Sequence, residues 1–316
     1  MMKKILFPIC ALLLLPAGTG CEKIIEFNGE VTESRLTLSC QAEAGEPLEA
    51  CVASSVFFLS DSWDGKAFVA NLDTVNGRVR CYVNGSAAAT PLELVPEEER
   101  TGLCYRASGY APSPGDHIRL EAEFPGFDPV WAETDVPREP SLEILSTVWR
   151  QMGPEDWEWI IDEASPTYEV ELTLALSDDG SYDKYYFLQP VLLTADSYVR
   201  IVSFSSNDVL FQEMDGAGAL ESFGEAGNFF ADDLISGQRH VFTIRIPMLP
   251  SKDGSAHLWL HVAAVNESLY WYSKSYARLV GDFGSFFAEG VTLYSNVHGG
   301  YGAFGAAASR WLEVDW

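Results

Sequence analysis

Alternation of apolar and polar positions with a period of two dominates the chain after residue 34. In His117–Phe124, Ile118, Leu120, Ala122 and Phe124 fall on one side, and Arg119, Glu121 and Glu123 on the other. That is the pattern of a strand with one face in a core and one in water. Comparable short runs occupy Arg35–Gln41, Cys51–Leu59, Gly77–Val83, Pro91–Val95, Leu103–Ala107 and Pro129–Val136. Turn residues separate them at Asn76-Gly77, Asn84-Gly85 and Pro114-Gly115. About seven strands at this spacing predict an immunoglobulin-like β-sandwich over residues 35–137.

The two prolines of Val136-Pro137-Arg138-Glu139-Pro140 mark a border. Beyond it the pattern stays β. Tyr168–Leu176, Tyr185–Thr194, Tyr198–Phe204, His240–Pro247 and His257–Val265 are rich in Val, Ile, Leu and aromatics. One segment departs: Leu269, Tyr272, Tyr276 and Leu279 recur at helical spacing, with Asn266 or Ser268 to cap the start and Gly281 to end it. On that stripe Tyr272 is the buried aromatic, with Tyr270 and Trp271 outside it. The expected fold is all-β: two β-sandwich domains, the second (residues 141–316) larger and carrying one short helix.

The chain's start reads differently. Lys3 and Lys4 precede an uncharged run, Ile5–Leu15, and Gly18-Thr19-Gly20 lead into Cys21. A basic start, a short apolar stretch and small residues make a secretory signal peptide over residues 1–20. A membrane-spanning helix needs about 20 apolar residues, more than this run supplies. The cysteine resembles the acylation site of a lipoprotein, although Gly18 stands where such signals usually carry Leu. Cys21 is thus expected to be lipidated and residues 21–34 to form a tether. More than one acyl chain, each methylene contributing about 0.8 kcal/mol, makes such anchoring stable.

Charge and cysteine usage fit export. Losing the leader takes 20 basic residues down to 18 against 46 acidic, a formal charge of −28. That surface disfavours nucleic acid and anionic headgroups as partners; simple solubility accounts for it equally well. Past Cys21 the cysteines are Cys40, Cys51, Cys81 and Cys104. An even number in one region of an exported chain reads as two disulfides, with three connectivities open. A hairpin centred near residue 45.5, at Gly45-Glu46-Pro47, sets Cys40 opposite Cys51. Such a loop of about a dozen residues contributes roughly 3 kcal/mol. Cys81 with Cys104 follows by elimination. No Cys-x-x-Cys occurs, which leaves zinc and thioredoxin-like chemistry little support.

Candidate motifs each meet a plainer reading. Gly300-Tyr301-Gly302-Ala303-Phe304-Gly305 spells a dinucleotide fingerprint, but eleven following residues leave no room for its helix, second strand and distal acid. The glycines are expected to serve positive φ and close backbone packing. His257 and His261 on one strand face sit roughly 13 Å apart, too far to share a metal. The acidic loop Ser177–Asp183 lacks the spacing of a calcium loop, and Asp232-Asp233 is equally ambiguous. Trp157, Trp159, Tyr270, Trp271 and Tyr272 are candidates for stacking on a sugar or docking a protein, against the alternative of core packing. Asp73-Thr74-Val75 resembles a short O-glycosylation acceptor. No G-x-S-x-G elbow, phosphate loop or H-E-x-x-H occurs. No cofactor, metal or catalytic residue is assigned.

Seven segments stand in order along the chain: Cys21-Glu22-Lys23; Gly115-Asp116-His117-Ile118-Arg119-Leu120; Thr134-Asp135-Val136-Pro137; Tyr185-Tyr186-Phe187; Phe230-Ala231-Asp232-Asp233 with Gly237; Tyr270-Trp271-Tyr272; and the distinctive ending Ser295-Asn296-Val297-His298-Gly299-Gly300-Tyr301-Gly302-Ala303-Phe304-Gly305. Together they resemble a family of Bacteroidota lipoproteins designated domain of unknown function 4249. The four-cysteine set is not part of that resemblance. The resemblance implies an outer-membrane lipoprotein, often encoded near TonB-dependent receptors, without established catalytic residues. Glu22 and Glu26 match in part the acidic surface-export signal that it implies, with Ile24 and Ile25 between them. The function expected is a non-catalytic accessory or ligand-binding partner of a TonB-dependent transport system, lipid-anchored and surface-exposed or periplasmic. The alternative is a structural or adhesive surface protein. A hydrolase whose site forms only in three dimensions is a third reading.

Overall fold

Alternation of burial along Leu36–Glu43, His117–Glu123 and Val130–Asp135 shows what the apolar pattern builds. The computed structural model describes residues 33–56, 68–69, 71–95, 102–153, 168–178, 180, 185–194, 199–214, 229–249, 256–282 and 292–315. Cys21, the leader, the tether up to residue 32, Trp157 and Trp159 lie outside them. The described residues from Ser34 onward belong to one compact unit.

The first group of strands is β1 (Leu36–Glu43), β2 (Glu49–Ser54), β3 (Arg78–Val83), β4 (Leu92–Leu94), β5 (Leu103–Ala107), β6 (His117–Glu123) and β7 (Val130–Asp135). The second is β8 (Ser141–Gln151), β9 (Tyr168–Ser177), β10 (Tyr185–Thr194), β11 (Val199–Ile201), β12 (Phe229–Ala231), β13 (Arg239–Leu249), β14 (Ala256–Val265) and β15 (Phe304–Val314). A 3-10 helix occupies Val209–Met214 and an α-helix, α1, Glu267–Asp282. The described residues are nearly all β with one α-helix, as the patterning predicts. Beyond the expected strands the structure adds β8, β12 and β15.

A single nine-stranded sheet, in the order β11-β10-β14-β15-β1-β2-β5-β4 with β12 beside β10, runs through both halves of the sequence. Two three-stranded sheets pack on it. The first, β3-β6-β7, shares a core with the β1–β2–β5 end, containing Leu36, Leu38, Val52, Ile118 and Leu120. The second, β13-β9-β8, shares a core with the β10–β14 end, containing Leu172, Leu174, Leu188, Ile244 and Leu260. Each core is a sandwich whose inner faces interdigitate. Residues 137–141 mark the passage between cores along the chain, but the sheet itself is continuous.

The bridge is β15. It pairs antiparallel with β14 (Ala264 with Ala308, Leu260 with Leu312) and parallel with β1 (Cys40 with Phe304, Ala42 with Ala306). Val297, Phe304 and Ala306 therefore complete the first core, while Val314 belongs to the second. The C-terminal segment thus contributes to both sandwiches, although it falls within the predicted 141–316 region.

Helix α1 covers the outer face of this junction. Leu269 and Tyr270 pack with Phe229, Ala263, Val265 and Ala307. Asn266 caps it, its Oδ1 accepting from Leu269 N at 3.1 Å and from Ala306 N at 3.0 Å. The buried stripe differs from the expected one. Tyr270 is buried, Tyr276 is exposed and Ala277 takes its place against the protein. The sheet lies closer to the Leu269–Tyr270–Ala277 side, so the stripe is turned by about one residue. Gly281 lies inside the last helical turn rather than beyond it.

Candidate functional site

In the second half of the nine-stranded sheet, the face away from the core carries an unusual set of side chains. Directly paired residues of antiparallel strands share a face. The register sets Val191 beside Ile201 and Trp259, Leu193 beside Val199 and His257, and His261 beside Trp311. Of these, Val199, Ile201, Leu193 and Trp311 are exposed, Trp311 by 53%. His261 lies flat on Trp311, with ring centroids 4.3 Å apart and planes within 8°, and Phe187 meets the same imidazole edge-on at 5.4 Å. Burial holds the His261 imidazole below its ordinary pKa, so it is a neutral ring in this stack at pH 7. His257 and Glu313, 3.3 Å apart, close one margin. Trp259 Nε1 is buried without a partner. Trp311 on β15 and the Leu193–Val199–Ile201 group at the β10–β11 edge are exposed apolar side chains of one sheet face, with buried Val191 between them, and exposed apolar residues with an aromatic anchor are features of an interaction face.

The two histidines thus occupy one strand face, as expected, but each has its own neighbour and they do not converge. Sequence reading found His257, Trp259 and His261 and missed Trp311, whose strand it did not identify.

A second aromatic arrangement lies on the outer face of β6 and β7. Trp131 is held between the Arg119 guanidinium, 4.0 Å from its ring centroid, and the His298 ring, stacked at 3.9 Å. Arg119 also reaches Glu133 at 2.7 Å and Glu121 at 2.9 Å. An open cleft of about 270 Å³ beside it is lined by Tyr82, Gly85, Ser86, His117, Arg119, Glu121 and Glu133. Within it Arg119 is paired with Glu121 and Glu133, and His117 Nδ1 lies 2.8 Å from Asp135 Oδ1 at the margin.

The cysteines depart from the expected pairing. Cys51 is bonded to Cys104, and Cys40 and Cys81 are free and buried. The hairpin is centred on residue 45, half a residue from the expected position, so Cys40 pairs with Ala50 while Ser39 faces Cys51. A shift of that kind moves a side chain to the other face. Cys40 therefore points into the first core, and Cys51 points outward, directly opposite Cys104 on β5 with a Cα separation of 4.0 Å. Burial raises both free thiols, Cys81 to about 12 and Cys40 further, the nearby Cys81 adding to the rise. Among the described residues, the group of potential metal ligands closest together is Glu49, Cys51 and Cys104. Its sulfurs are consumed in the disulfide and offer no thiolate.

The glycine-rich ending is packing, as expected. A Cβ on Gly300 would stand 2.2 Å from Leu36 O, and one on Gly302, which has φ +113°, would stand 2.1 Å from Leu38 O. Backbone bonds from Leu38 N to Tyr301 O (2.9 Å) and from Cys40 N to Ala303 O (3.0 Å) need that close approach. Asp73 accepts from Val75 N and Asn76 N, a local turn that leaves the Asp73-Thr74-Val75 tripeptide on the surface.

The two acidic segments meet. Asp178, just after β9, accepts from Gly180 N and Gly237 N, and Asp232, just after β12, opens the turn that leads to Gly237, its carbonyl accepting from Ile235 N. Asp232 is 2% exposed and its Oδ1 has no partner. Desolvation, then the charge and hydrogen bond of Asp178, raise the Asp232 carboxyl to about 6.

Comparison with known proteins adds the family. No curated protein matches the chain. Among solved structures, a DUF4785 family protein from Legionella pneumophila aligns at 10% identity with a TM-score of 0.22, over 72% of this chain. The chain spans about half (52%) of that protein's length, and a likeness at this score carries no argument. The family model described as "Domain of unknown function (DUF4249)" matches residues 22–311, nearly the whole folded body and the glycine-rich ending included, and the chain belongs to that family.

Proposed function

We propose that the protein is an outer-membrane lipoprotein, anchored by acyl chains on Cys21, whose folded body docks a partner in a TonB-dependent transport system and acts by binding rather than catalysis. The observation that carries the docking is the exposed apolar face around Trp311, Ile201 and Val199, with His261 stacked beneath the indole. An aromatic anchor in an apolar field supplies most of the energy of a typical protein interface. The Cys51–Cys104 disulfide supports an exported body, since such bonds persist in oxidising compartments. The leader ahead of Cys21 and the resemblance stated above supply the anchor and the transport context.

Co-purification of the full chain from crosslinked outer membranes tests this reading. A TonB-dependent receptor is expected with the wild type and is expected to be lost with Trp311→Ala. Recovery of no such receptor, or equal recovery with the variant, counts against the proposal. For the anchor, Cys21→Ala should move the protein out of the membrane fraction.

A further inference from the structure

Backbone direction along β15 leaves one stretch of the nine-stranded sheet open. Ala307 O accepts from Ala44 N at 2.9 Å, and Ser309 N donates to the Glu43 side chain at 2.8 Å. Both groups point to the β1 side, whereas Ala306 O points the other way and accepts from Asn266 N, just after β14. Successive residues of a strand alternate in this respect, so the N–H and C=O of Trp311 and of Glu313 also point to the β1 side. β1 ends at Glu43 and the chain turns away at Gly45; among the described residues nothing bonds to those groups. Farther along, Asp315 O accepts from Trp149 Nε1 of β8 at 3.1 Å. Ser309–Asp315 thus borders a slot roughly 20 Å long, with Glu43 at one end and Trp149 at the other. Leu312 and Trp149, partly buried against the second core, line its inner side, and exposed Trp311 stands on its outer side.

Sheet edges in native proteins are blunted by bulges, prolines, lysines, shortness or a covering segment, and the other edges here are protected in these ways. β4 and β11 are three residues long. β8 is bulged between Ile144 and Ser146, and β13 between Ile246 and Leu249, at Pro247. Thr90 bridges to β3 and His298 to β7. β15 instead keeps an unbroken register with β14 through Val314 and carries neither lysine nor proline. An open edge beside an exposed aromatic accepts an added strand, main-chain bonds giving affinity and side-chain pairs giving specificity. Charge selects the occupant. Glu313 and Asp315 are exposed at the slot in a chain of formal charge −26, which also sets a second copy of the chain against itself. We propose that a partner protein adds an extended segment to β15 over Ser309–Asp315, with basic residues facing Glu313 and Asp315 and apolar ones covering Leu312. The added strand lies in line with β1 and rests its outer side chains against Trp311. The inference rests on the docking reading above and gives it a mode, strand addition.

Hydrogen exchange of the full-length protein in detergent, read at the Trp311 and Glu313 amides, tests this with the synthetic peptide Lys-Val-Lys-Val-Lys-Val-Lys. Both amides are expected to exchange at least tenfold more slowly at saturating peptide. The Glu313 N–H takes no part in the β14 ladder, so a proline there leaves that ladder intact. Glu313→Pro is expected to weaken peptide binding at least tenfold, and Glu313→Ala, which keeps the N–H, less than threefold. Should Glu313→Pro not fold by circular dichroism, two N-methylated peptides replace it, one methylated at its lysines and one at its valines. Only one of these sets of amides faces β15, so one peptide is expected to bind and the other to fail. The proposal is overturned by exchange that the peptide leaves unchanged, by a folded Glu313→Pro that binds within twofold of wild type, or by methylated peptides that bind alike. Protection of the same amides in a dimer without peptide would overturn it in favour of a second copy. Loss of the receptor by Trp311→Ala but not by Glu313→Pro would keep the docking reading and overturn strand addition. Protection by the peptide with no receptor recovered would support the edge site and count against the transport reading.

Discussion

The side chain of Asn296 pairs with both backbone groups of Phe304: its Oδ1 accepts from Phe304 N at 2.9 Å and its Nδ2 donates to Phe304 O at 2.9 Å. This clamp closes the glycine-rich loop just where β15 enters the first core, and Phe304 is fully buried. Removing the amide leaves two buried backbone groups without their partner. Asn296→Ala is expected to destabilise by about 2–4 kcal/mol, read as a lower urea midpoint at unchanged slope. A loss under 1 kcal/mol would mean that water takes over both bonds.

Glycines at positive φ separate by their surroundings. Gly302→Ala meets Leu38 O as well as an unfavourable φ, and is expected to cost about 3 kcal/mol or more. Gly45 has φ +85° in the β1–β2 turn with open space about it, so Gly45→Ala is expected to cost only about 1–2 kcal/mol. Equal effects in equilibrium unfolding would show that φ alone matters at both places.

Thiol chemistry is expected to divide the four cysteines of the folded body. In the native protein Cys40 and Cys81 should resist iodoacetamide, because burial keeps both protonated well above neutral pH. After unfolding without reductant, mass spectrometry should find these two labelled and Cys51 and Cys104 unlabelled. Cys51→Ser with Cys104→Ser removes a link across 53 residues and is expected to cost about 2–4 kcal/mol.

His261 gives the body an acid sensitivity. Its folded pKa lies below the ordinary value of 6.5, through burial. The unfolded state therefore binds more protons just below pH 6.5, and stability rises with pH across that window. The contribution of the neutral imidazole is fully present above the unfolded pKa and falls away on acidification through pH 6.5. His261→Phe should flatten that slope in urea titrations run between pH 5 and 8. An unchanged slope would place its origin elsewhere.

Trp311, being half exposed, should be separable from folding. Trp311→Ala is expected to change stability by no more than about 0.5–1 kcal/mol, so loss of a partner by that variant would report contact rather than collapse. A far larger loss of stability would make Trp311 a packing residue.

Local patterning made most strands legible. β5 and β10 coincide with the expected runs, because Leu103–Ala107 and Tyr185–Thr194 combine apolar density with β-favouring side chains. β15 was hidden: Ala306, Ala307 and Ala308 carry little strand preference, and glycines precede them. Its parallel pairing with β1 joins residues from opposite ends of the chain and leaves no local trace. The cysteine pairing failed on register, where half a residue of hairpin centre decides which face Cys51 takes. Asp178 and Asp232 were each conspicuous, yet only the tertiary fold brings their segments together. Trp311 followed its strand out of sight, so the exposed aromatic anchor of the candidate interaction face was invisible.

The bridging role of β15 has a consequence for biogenesis. The first sandwich needs Val297, Phe304 and Ala306 to seal its core, yet these are synthesised long after β1, the strand with which β15 pairs. The N-terminal half cannot finish folding on its own and must wait, open-cored, for its far end. Such long-range closure makes folding slow. A chain that closes this late keeps its first core open until β15 arrives, so the strand that unites the two sandwiches also times when the protein becomes a rigid object.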